Sequence, residues 1–220
     1  MTNFHIILLS VLQGITEFLP VSSSGHLILF SKFTDFPDQG LALDVAVHVG
    51  SILAVMIYFS ADLWNMLKGL LKTYFIPSFK NPGAKTFWLI VIGTIPIVIV
   101  GLLLKSYGME ELRSSKLIGW TILLYGLLLF TADHFGMTIR KIDHLTPLDA
   151  FLIGCAQCLA LIPGTSRSGI TVTMARFLSM ERREAAKFSM LLSIPAIIAA
   201  ATLVAYEMWQ NGSLTLITEA

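Results

Sequence analysis

The sequence predicts an all-α polytopic membrane protein made of two related halves, each opening on a re-entrant helix hairpin. Three observations predict it. Of the 220 residues, 55% are hydrophobic and 13% charged, where a soluble domain carries about a quarter charged residues. Charge-free stretches run from Phe87 to Leu104, Leu117 to Ala132 and Phe188 to Tyr206. The first and third are long enough for about 30 Å of hydrocarbon, and the second is so with a flanking residue or two. Finally, two apolar stretches are interrupted in the same way. Gln13 is followed by Ser22-Ser23-Ser24-Gly25 and Gln157 by Ser166-Arg167-Ser168-Gly169, an offset of 144 residues.

The first hairpin is expected over 4–33. Its break begins at Pro20, which removes a backbone donor, and the following serines can bond the freed carbonyls and amides. Irregular backbone at membrane depth is tolerated only where it lines a cavity or is buried in protein. Full spans are expected at 41–61, 87–105 and 116–132, the first holding Asp44 and His48, with a loop over 62–86. The second hairpin follows over 150–178, broken at Pro163. Downstream, Ser51-Ile52-Leu53-Ala54 and Ser193-Ile194-Pro195-Ala196 match at an offset of 142, which extends the duplication. Repeat one then covers about 1–145 and repeat two about 146–220 of a single membrane domain. Three spans between the hairpins is an odd number, so the repeats are inverted and their broken tips meet near the midplane. The second repeat is expected to lack counterparts of the last two spans of the first, because the tail from Gln210 is polar and short.

Charge orients the chain. Lys68, Lys72, Lys80, Lys85, Arg140, Lys141, Arg182, Arg183 and Lys187 fall on one side, against Lys32, Lys105, Arg113 and Lys116 on the other. The richer side is expected to be cytoplasmic. A net charge of +1 without a basic stripe argues against a nucleic-acid partner. The N-terminus has no basic segment before its apolar run and does not read as a cleavable signal. Cys155 and Cys158 sit in an apolar run and are read as packing residues.

Ionisable groups inside spans mark function by default. Gln13 and Glu17 share a helix face that points toward the first break. Glu17 reads as a general base or metal ligand, or as the ion-pair partner of Arg167. Ser22, Ser23, Ser24 and His26 bring hydroxyls and an imidazole to the break. His26 could be a nucleophile or a general acid, with Ser23 the alternative nucleophile. Arg167, the only charge between Asp149 and Arg176, offers a rigid fork for phosphate oxygens, with Ser166, Ser168 and Thr171 around it. Asp44 and His48 share a face and could bind a cation with Glu17 or form a hydrogen-bonded pair. Asp149 is expected to cap a helix. Oxygen-rich ligands without a thiolate cluster favour Mg²⁺ or Ca²⁺.

Gln13-Gly14-Ile15-Thr16-Glu17, running into Phe18-Leu19-Pro20-Val21-Ser22-Ser23-Ser24-Gly25-His26, together with Pro163 to Thr171, resembles the undecaprenyl-diphosphate phosphatase family, the bacitracin-resistance proteins. The resemblance covers most of the chain. It implies cation-dependent hydrolysis of undecaprenyl diphosphate to undecaprenyl phosphate and phosphate at the outer face of the plasma membrane, which recycles the cell-wall lipid carrier and confers bacitracin resistance. Glu17, Ser23, His26 and Arg167 would be catalytic, and Gln13, Ser22, Ser24, Ser166, Ser168 and Thr171 would contact substrate. The partner is then a polyprenyl diphosphate lipid, with room for a homodimer. Gln13 stands at the first position of the family's Glu/Gln-x-x-x-Glu motif, leaving Glu17 its sole carboxylate. Inverted repeats with broken helices also fit a flippase or anion transporter. A further likeness, to lipid phosphatases with Pro-Ser-Gly-His and a later Ser-Arg…His motif, fails because no histidine follows Arg167.

Overall fold

The computed structural model describes residues 3–34, 40–105 and 114–210. Arg113 and the tail beyond Gln210 lie outside them. The described residues form nine α-helices and no strand. These are α1 (Asn3–Thr16), α2 (Ser23–Phe33), α3 (Gly40–Tyr58), α4 (Ser60–Lys72), α5 (Pro82–Lys105), α6 (Ser115–Phe135), α7 (Pro147–Gln157), α8 (Arg167–Phe177) and α9 (Arg182–Gln210). Two short 3₁₀ turns, Ile142–His144 and Cys158–Leu161, join them. Three helices are long and apolar enough to cross a membrane, within α5, α6 and α9, and the bent pair α3–α4 makes a fourth.

The two broken stretches fold alike. Helix α1 starts at residue 3 and α7 at 147, α2 at 23 and α8 at 167, so both pairs of starts differ by 144. In each break a serine caps the helix that follows. Ser22 Oγ accepts from the Gly25 amide at 3.1 Å, and Ser166 Oγ accepts from the Gly169 amide at 3.1 Å. The next serine but one lies beside each cap, at 3.3 Å for Ser22 and Ser24 and 3.2 Å for Ser166 and Ser168. The Ser-x-Ser-Gly pattern is therefore a helix-start device, satisfying amides that would otherwise be orphaned inside the membrane.

The arms α1 and α2 pack on each other, as do α7 and α8. Around them α3 packs on α1 and α9, α5 on α7 and α9, and α6 on α8. The buried core runs through Ile52 and Val55 of α3, Leu89 of α5, Ile153 of α7 and Leu191 of α9. Helix α6 is peripheral. Leu123, Leu124, Leu127 and Phe130 on it are more than half exposed, the lipid-facing surface expected of a membrane helix. Between helices in lipid the hydrophobic effect contributes little, so close contact of small residues has to hold them.

The expected loop over 62–86 is a correction: it holds α4 and the first turn of α5. Leu63, Met66 and Leu70 recur at three and four residues and turn one apolar side of α4 inward, a helical period. A 75° bend after Tyr58 separates α4 from α3. Helices α4 and α5 cross at glycines: a Cβ on Gly69 would lie 2.3 Å from the Ala84 amide nitrogen, and one on Gly83 would lie 2.2 Å from the Asn65 carbonyl. A second correction concerns Asp149. Thr146 is the cap of α7, and Asp149 completes a capping box three residues on. Its carboxylate also pairs with Arg140 at 2.5 Å.

Charged groups gather at one end of the bundle. Asp133 pairs with Arg176 and Arg182, and Lys187 with Asp62 at 2.6 Å. Arg176 is 1% exposed. It donates to the Asp133 carboxylate and to the carbonyls of Asp133, Gly136, Met137 and Met180. One guanidinium thus closes the C-terminal end of α6 and fixes the turn leading to α9.

Candidate active site

The site forms where the two breaks meet. Glu17, directly after α1, is 6% exposed, and each of its oxygens is engaged. Oε1 accepts from Arg167 Nη2 of the other hairpin. Oε2 accepts from Ser23 Oγ at 2.7 Å and from Gln13 Nε2 at 2.9 Å, with His48 Nε2 at 3.4 Å. The hairpins also touch through Ser168 Oγ, which donates to the Leu19 carbonyl at 3.0 Å. Gly164 shapes the second break. Its φ is +91°, and a Cβ there would lie 2.0 Å from Thr121 Oγ1 and 2.8 Å from the Ile118 carbonyl. The same Thr121 hydroxyl donates to the Pro163 carbonyl at 2.9 Å, docking the break on α6.

A cavity of about 220 Å³ opens at this junction. Glu17, Ser22, Ser23 and Ser24 line it from the first hairpin, and Thr165, Ser166, Arg167 and Ser168 from the second. His48 comes from α3, while α5 and α9 contribute Ile97, Ala196, Ile197 and Ala200. The lining is therefore polar on the hairpin tips and apolar on the flanking spans. Two of its polar atoms, Arg167 Nη1 and Thr165 Oγ1, are buried with no hydrogen-bond partner among the described residues. Buried unpaired donors are rare and costly, and a guanidinium with one nitrogen on Glu17 and one free is suited to an anionic oxygen.

Of the residues expected at a site, the structure brings Glu17, Ser22, Ser23, Ser24, Ser166, Arg167 and Ser168 to the cavity wall. Gln13 stands behind Glu17 as a hydrogen-bond donor. His26 is not among the lining residues; its Nδ1 lies 2.6 Å from the Ser22 carbonyl. Thr171 turns away to α9, where its hydroxyl meets Ser189 Oγ at 2.6 Å. Thr165 is a lining residue that sequence reasoning passed over, although it sits between Gly164 and Ser166 inside the break.

Among the described residues no three His, Cys, Asp or Glu side chains come together as a metal-holding group, so Glu17, Asp44 and His48 do not make a three-ligand set. The Asp44–His48 link runs through the main chain, from His48 Nδ1 to the Asp44 carbonyl at 2.6 Å. Glu17 is already engaged by Arg167, Ser23 and Gln13.

Comparison with known proteins adds a lineage. The family described as bacitracin resistance protein BacA matches residues 6–219. An undecaprenyl-diphosphatase of Roseobacter denitrificans is 51% identical over 209 residues, covering 94% of this chain and 78% of that protein. One from Hahella chejuensis is 50% identical, over 97% of this chain and 79% of the relative. Undecaprenyl-diphosphatase 1 of Rhodospirillum rubrum is 45% identical across 100% of this chain and 80% of its own length.

Proposed function

The chain belongs to the bacitracin resistance protein BacA family, and from that premise we infer that it is an undecaprenyl-diphosphate phosphatase of the membrane. It hydrolyses the lipid diphosphate to undecaprenyl phosphate and inorganic phosphate, which recycles the lipid carrier of cell-wall synthesis and confers bacitracin resistance. Relatives at 45–51% identity carry that enzymatic name, and it does not favour the transporter alternative. The observation supporting it in this chain is one cavity that holds both a hydroxyl bonded to a carboxylate, Ser23 on Glu17, and a guanidinium with an unpartnered nitrogen, Arg167.

In the proposed reaction the terminal phosphoryl group binds between the hairpin tips. Arg167 Nη1, Thr165 Oγ1 and the Ser166 hydroxyl hold its oxygens, and the starts of α2 and α8 add the positive ends of their dipoles. Ser23 attacks phosphorus while Glu17 Oε2 takes its proton. The lipid phosphate leaves, and water then releases phosphate from Ser23. Positioning and charge stabilisation supply most of the rate in such a transfer. Ser23 is preferred to His26 because its Oγ lies 2.7 Å from the base. The prenyl tail lies along the apolar flank formed by Ile97, Ala196 and Ile197. Mg²⁺ or Ca²⁺ enters this proposal only as an ion chelated by diphosphate oxygens and water, since Mg²⁺ is commonly held by substrate phosphates.

The proposal further takes the two halves as inverted repeats in the inner membrane, with the cavity opening outward. The excess of Lys and Arg in the 62–86, 136–149 and 178–187 connections supports a cytoplasmic location for that end. The direct test is phosphate release from a prenyl diphosphate by Glu17→Gln and Arg167→Ala proteins. Turnover near that of the unaltered chain in either one contradicts the site. Liposome flux without phosphate release would return the transporter alternative.

A further inference from the structure

We propose that α4 and the turn after it form an interfacial anchor, which lies along the bilayer surface and takes an anionic phospholipid headgroup against Lys68 and Lys72. The inference is independent of the reaction at the hairpin tips and needs only that the chain crosses the membrane. Its first basis is where α4 lies. Helix α3 has 19 residues, which at about 1.5 Å each come close to the thickness of the hydrocarbon, so α4 is not needed to complete that crossing. The chain bends by 75° before α4 begins. Helix α4 then packs across the start of α5, with Gly69 against Ala84 and the Asn65 carbonyl against Gly83. Asp62 in its first turn pairs with Lys187, in the second turn of α9. A helix held at the ends of two spans, and steeply angled to a third, runs along the membrane face rather than through it.

The second basis is how its residues are sorted around the axis. Met66, Gly69 and Leu70 are buried against the bundle. Trp64, Leu67 and Leu71, spaced by three and four, form a separate exposed apolar stripe. Lys68 and Lys72 run along one edge of that stripe, both exposed, and neither has an ion-pair partner among the described residues. Lys68 Nζ lies 5.4 Å from the centre of the Trp64 ring, so its stem covers the indole while the ammonium stays at the edge. Past α4, Tyr74, Phe75 and Ile76 are all more than half exposed. Tyr74 and Phe75 hold φ at 50° and 60°, where glycine is the usual residue after a helix and bulky side chains cost energy. In water such a patch is an association hazard, whereas aromatic residues and lysines suit the headgroup layer.

Charge identifies the occupant. Between Ser60 and Thr86 there are four lysines and one acidic residue, Asp62, and that carboxylate is taken by Lys187. Lys85 is turned to the Asp143 carbonyl, which leaves Lys68 and Lys72 beside the apolar stripe without a counter-charge. A zwitterionic headgroup brings its own cation, while an anionic phospholipid brings net negative charge. A second copy of this chain docked on the stripe about a two-fold axis would add the same two lysines to the contact, so like charges oppose that occupant.

The test uses the full chain in phosphatidylcholine vesicles, into which brominated phosphatidylcholine or brominated phosphatidylglycerol is titrated. Bromine on the acyl chain quenches a tryptophan in contact with that lipid, and the difference between the unaltered chain and Trp64→Phe isolates Trp64. Expected is quenching of Trp64 by both lipids, with phosphatidylglycerol favoured at low salt by about fivefold or more, the worth of one lysine near the surface. Lys68→Gln/Lys72→Gln should bring the two lipids to within about twofold of each other and leave thermal unfolding in detergent unchanged. Equal quenching by the two lipids in the unaltered chain overturns the assignment of an anionic lipid, and a preference that survives in the double variant overturns the role of the lysines. Quenching of Trp64 by aqueous acrylamide and by neither lipid places α4 in water, and quenching by none of the three places it under protein, a second copy included; either result overturns the proposal. Should Trp64→Phe not fold, a nitroxide on Leu71→Cys, in a chain with Cys155→Ser and Cys158→Ser, answers the same question. Relaxation by oxygen should then exceed that by a water-soluble nickel complex, and the reverse order overturns the proposal.

Discussion

Replacing Arg167 by lysine separates the two jobs assigned to this side chain. In the native site one guanidinium nitrogen, Nη2, is bonded to Glu17 Oε1, and the other, Nη1, is buried without a partner among the described residues. A lysine can keep a positive charge near Glu17, so the carboxylate is not left buried and alone. It cannot present a second nitrogen in a fixed plane to a phosphoryl oxygen. The expected loss is that of one preorganised donor to a developing oxyanion, about 2.7–4 kcal/mol or a hundred- to a thousandfold in kcat. Thermal stability in detergent should fall only slightly. Arg167→Ala removes both functions, and breaking a buried pair adds a stability loss of about 3–5 kcal/mol. The assay is phosphate release from undecaprenyl diphosphate at saturating substrate, paired with thermal unfolding of the same samples. A lysine protein within tenfold of the unaltered chain refutes the claim that the free nitrogen is a transition-state donor. A lysine protein as unstable as the alanine one refutes the claim that charge and fork are separable.

Three other perturbations probe the same junction. Ser23→Ala should abolish phosphate release, while His26→Ala, whose ring is turned to the Ser22 carbonyl, should keep at least ten times more activity by the same assay, on the scale of lost nucleophilic or acid–base assistance; equal losses would contradict Ser23 as nucleophile. Thr165→Val removes a buried hydroxyl that has no partner among the described residues, so unfolding temperature should hold or rise while KM increases by up to about tenfold, the worth of one hydrogen bond. Gly164→Ala should destabilise the chain by about 1–3 kcal/mol from backbone strain alone, with more from the collision of Cβ with Thr121 and Ile118, and thermal unfolding should show the deficit in full.

Much of this site is legible in the sequence because the breaks announce themselves. A proline followed by Ser-x-Ser-Gly at membrane depth specifies a helix stop, a cap and a restart, and both caps have the bonds those residues are able to make. The Glu17–Arg167 pairing follows from scarcity: Glu17 is the sole acidic residue within 4–33 and 150–178, and Arg167 is the basic residue at the second break. What could not be read is what depends on register between distant helices. Sequence reasoning joins His48 to Glu17 only as a shared cation ligand, whereas the 3.4 Å contact of Nε2 with Oε2 comes from how α3 packs on α1, which no local pattern encodes. Its pairing with Asp44 looked like two side chains four residues apart, yet the bond is to the carbonyl of Asp44. Helix α4 was hidden for another reason. Its mix of lysines and apolar residues reads as a polar connection until a 75° bend turns its apolar stripe onto the bundle.

The likeness of the two breaks lets one short pattern carry two different side chains at matching places. With the offset of 144, Ser23 and Arg167 occupy the same position, the first residue of the helix after the capped break. Both side chains reach the same carboxylate, Ser23 on Oε2 and Arg167 on Oε1. Gln13 corresponds to Gln157, whereas Glu17 corresponds to Leu161. A carboxylate at both 17 and 161 would put two buried like charges at the junction, each raising the cost of the other. With one carboxylate, an arginine at the matching helix start neutralises the charge and, in the proposed reaction, also supplies the clamp. The other helix start is then free to keep its hydroxyl beside that carboxylate, as a nucleophile requires. The proposed division into nucleophile and clamp thus rests on two pairs of positions, 17/161 and 23/167, on a scaffold whose breaks and caps are alike. Exchanging Ser23 and Arg167 tests this directly. The caps should survive, because Ser22 and Ser166 are untouched, but phosphate release should vanish because Glu17 belongs to the first hairpin and does not move with them. Retained turnover in the exchanged protein would show that the two halves are interchangeable and that the position of Glu17 does not fix their roles.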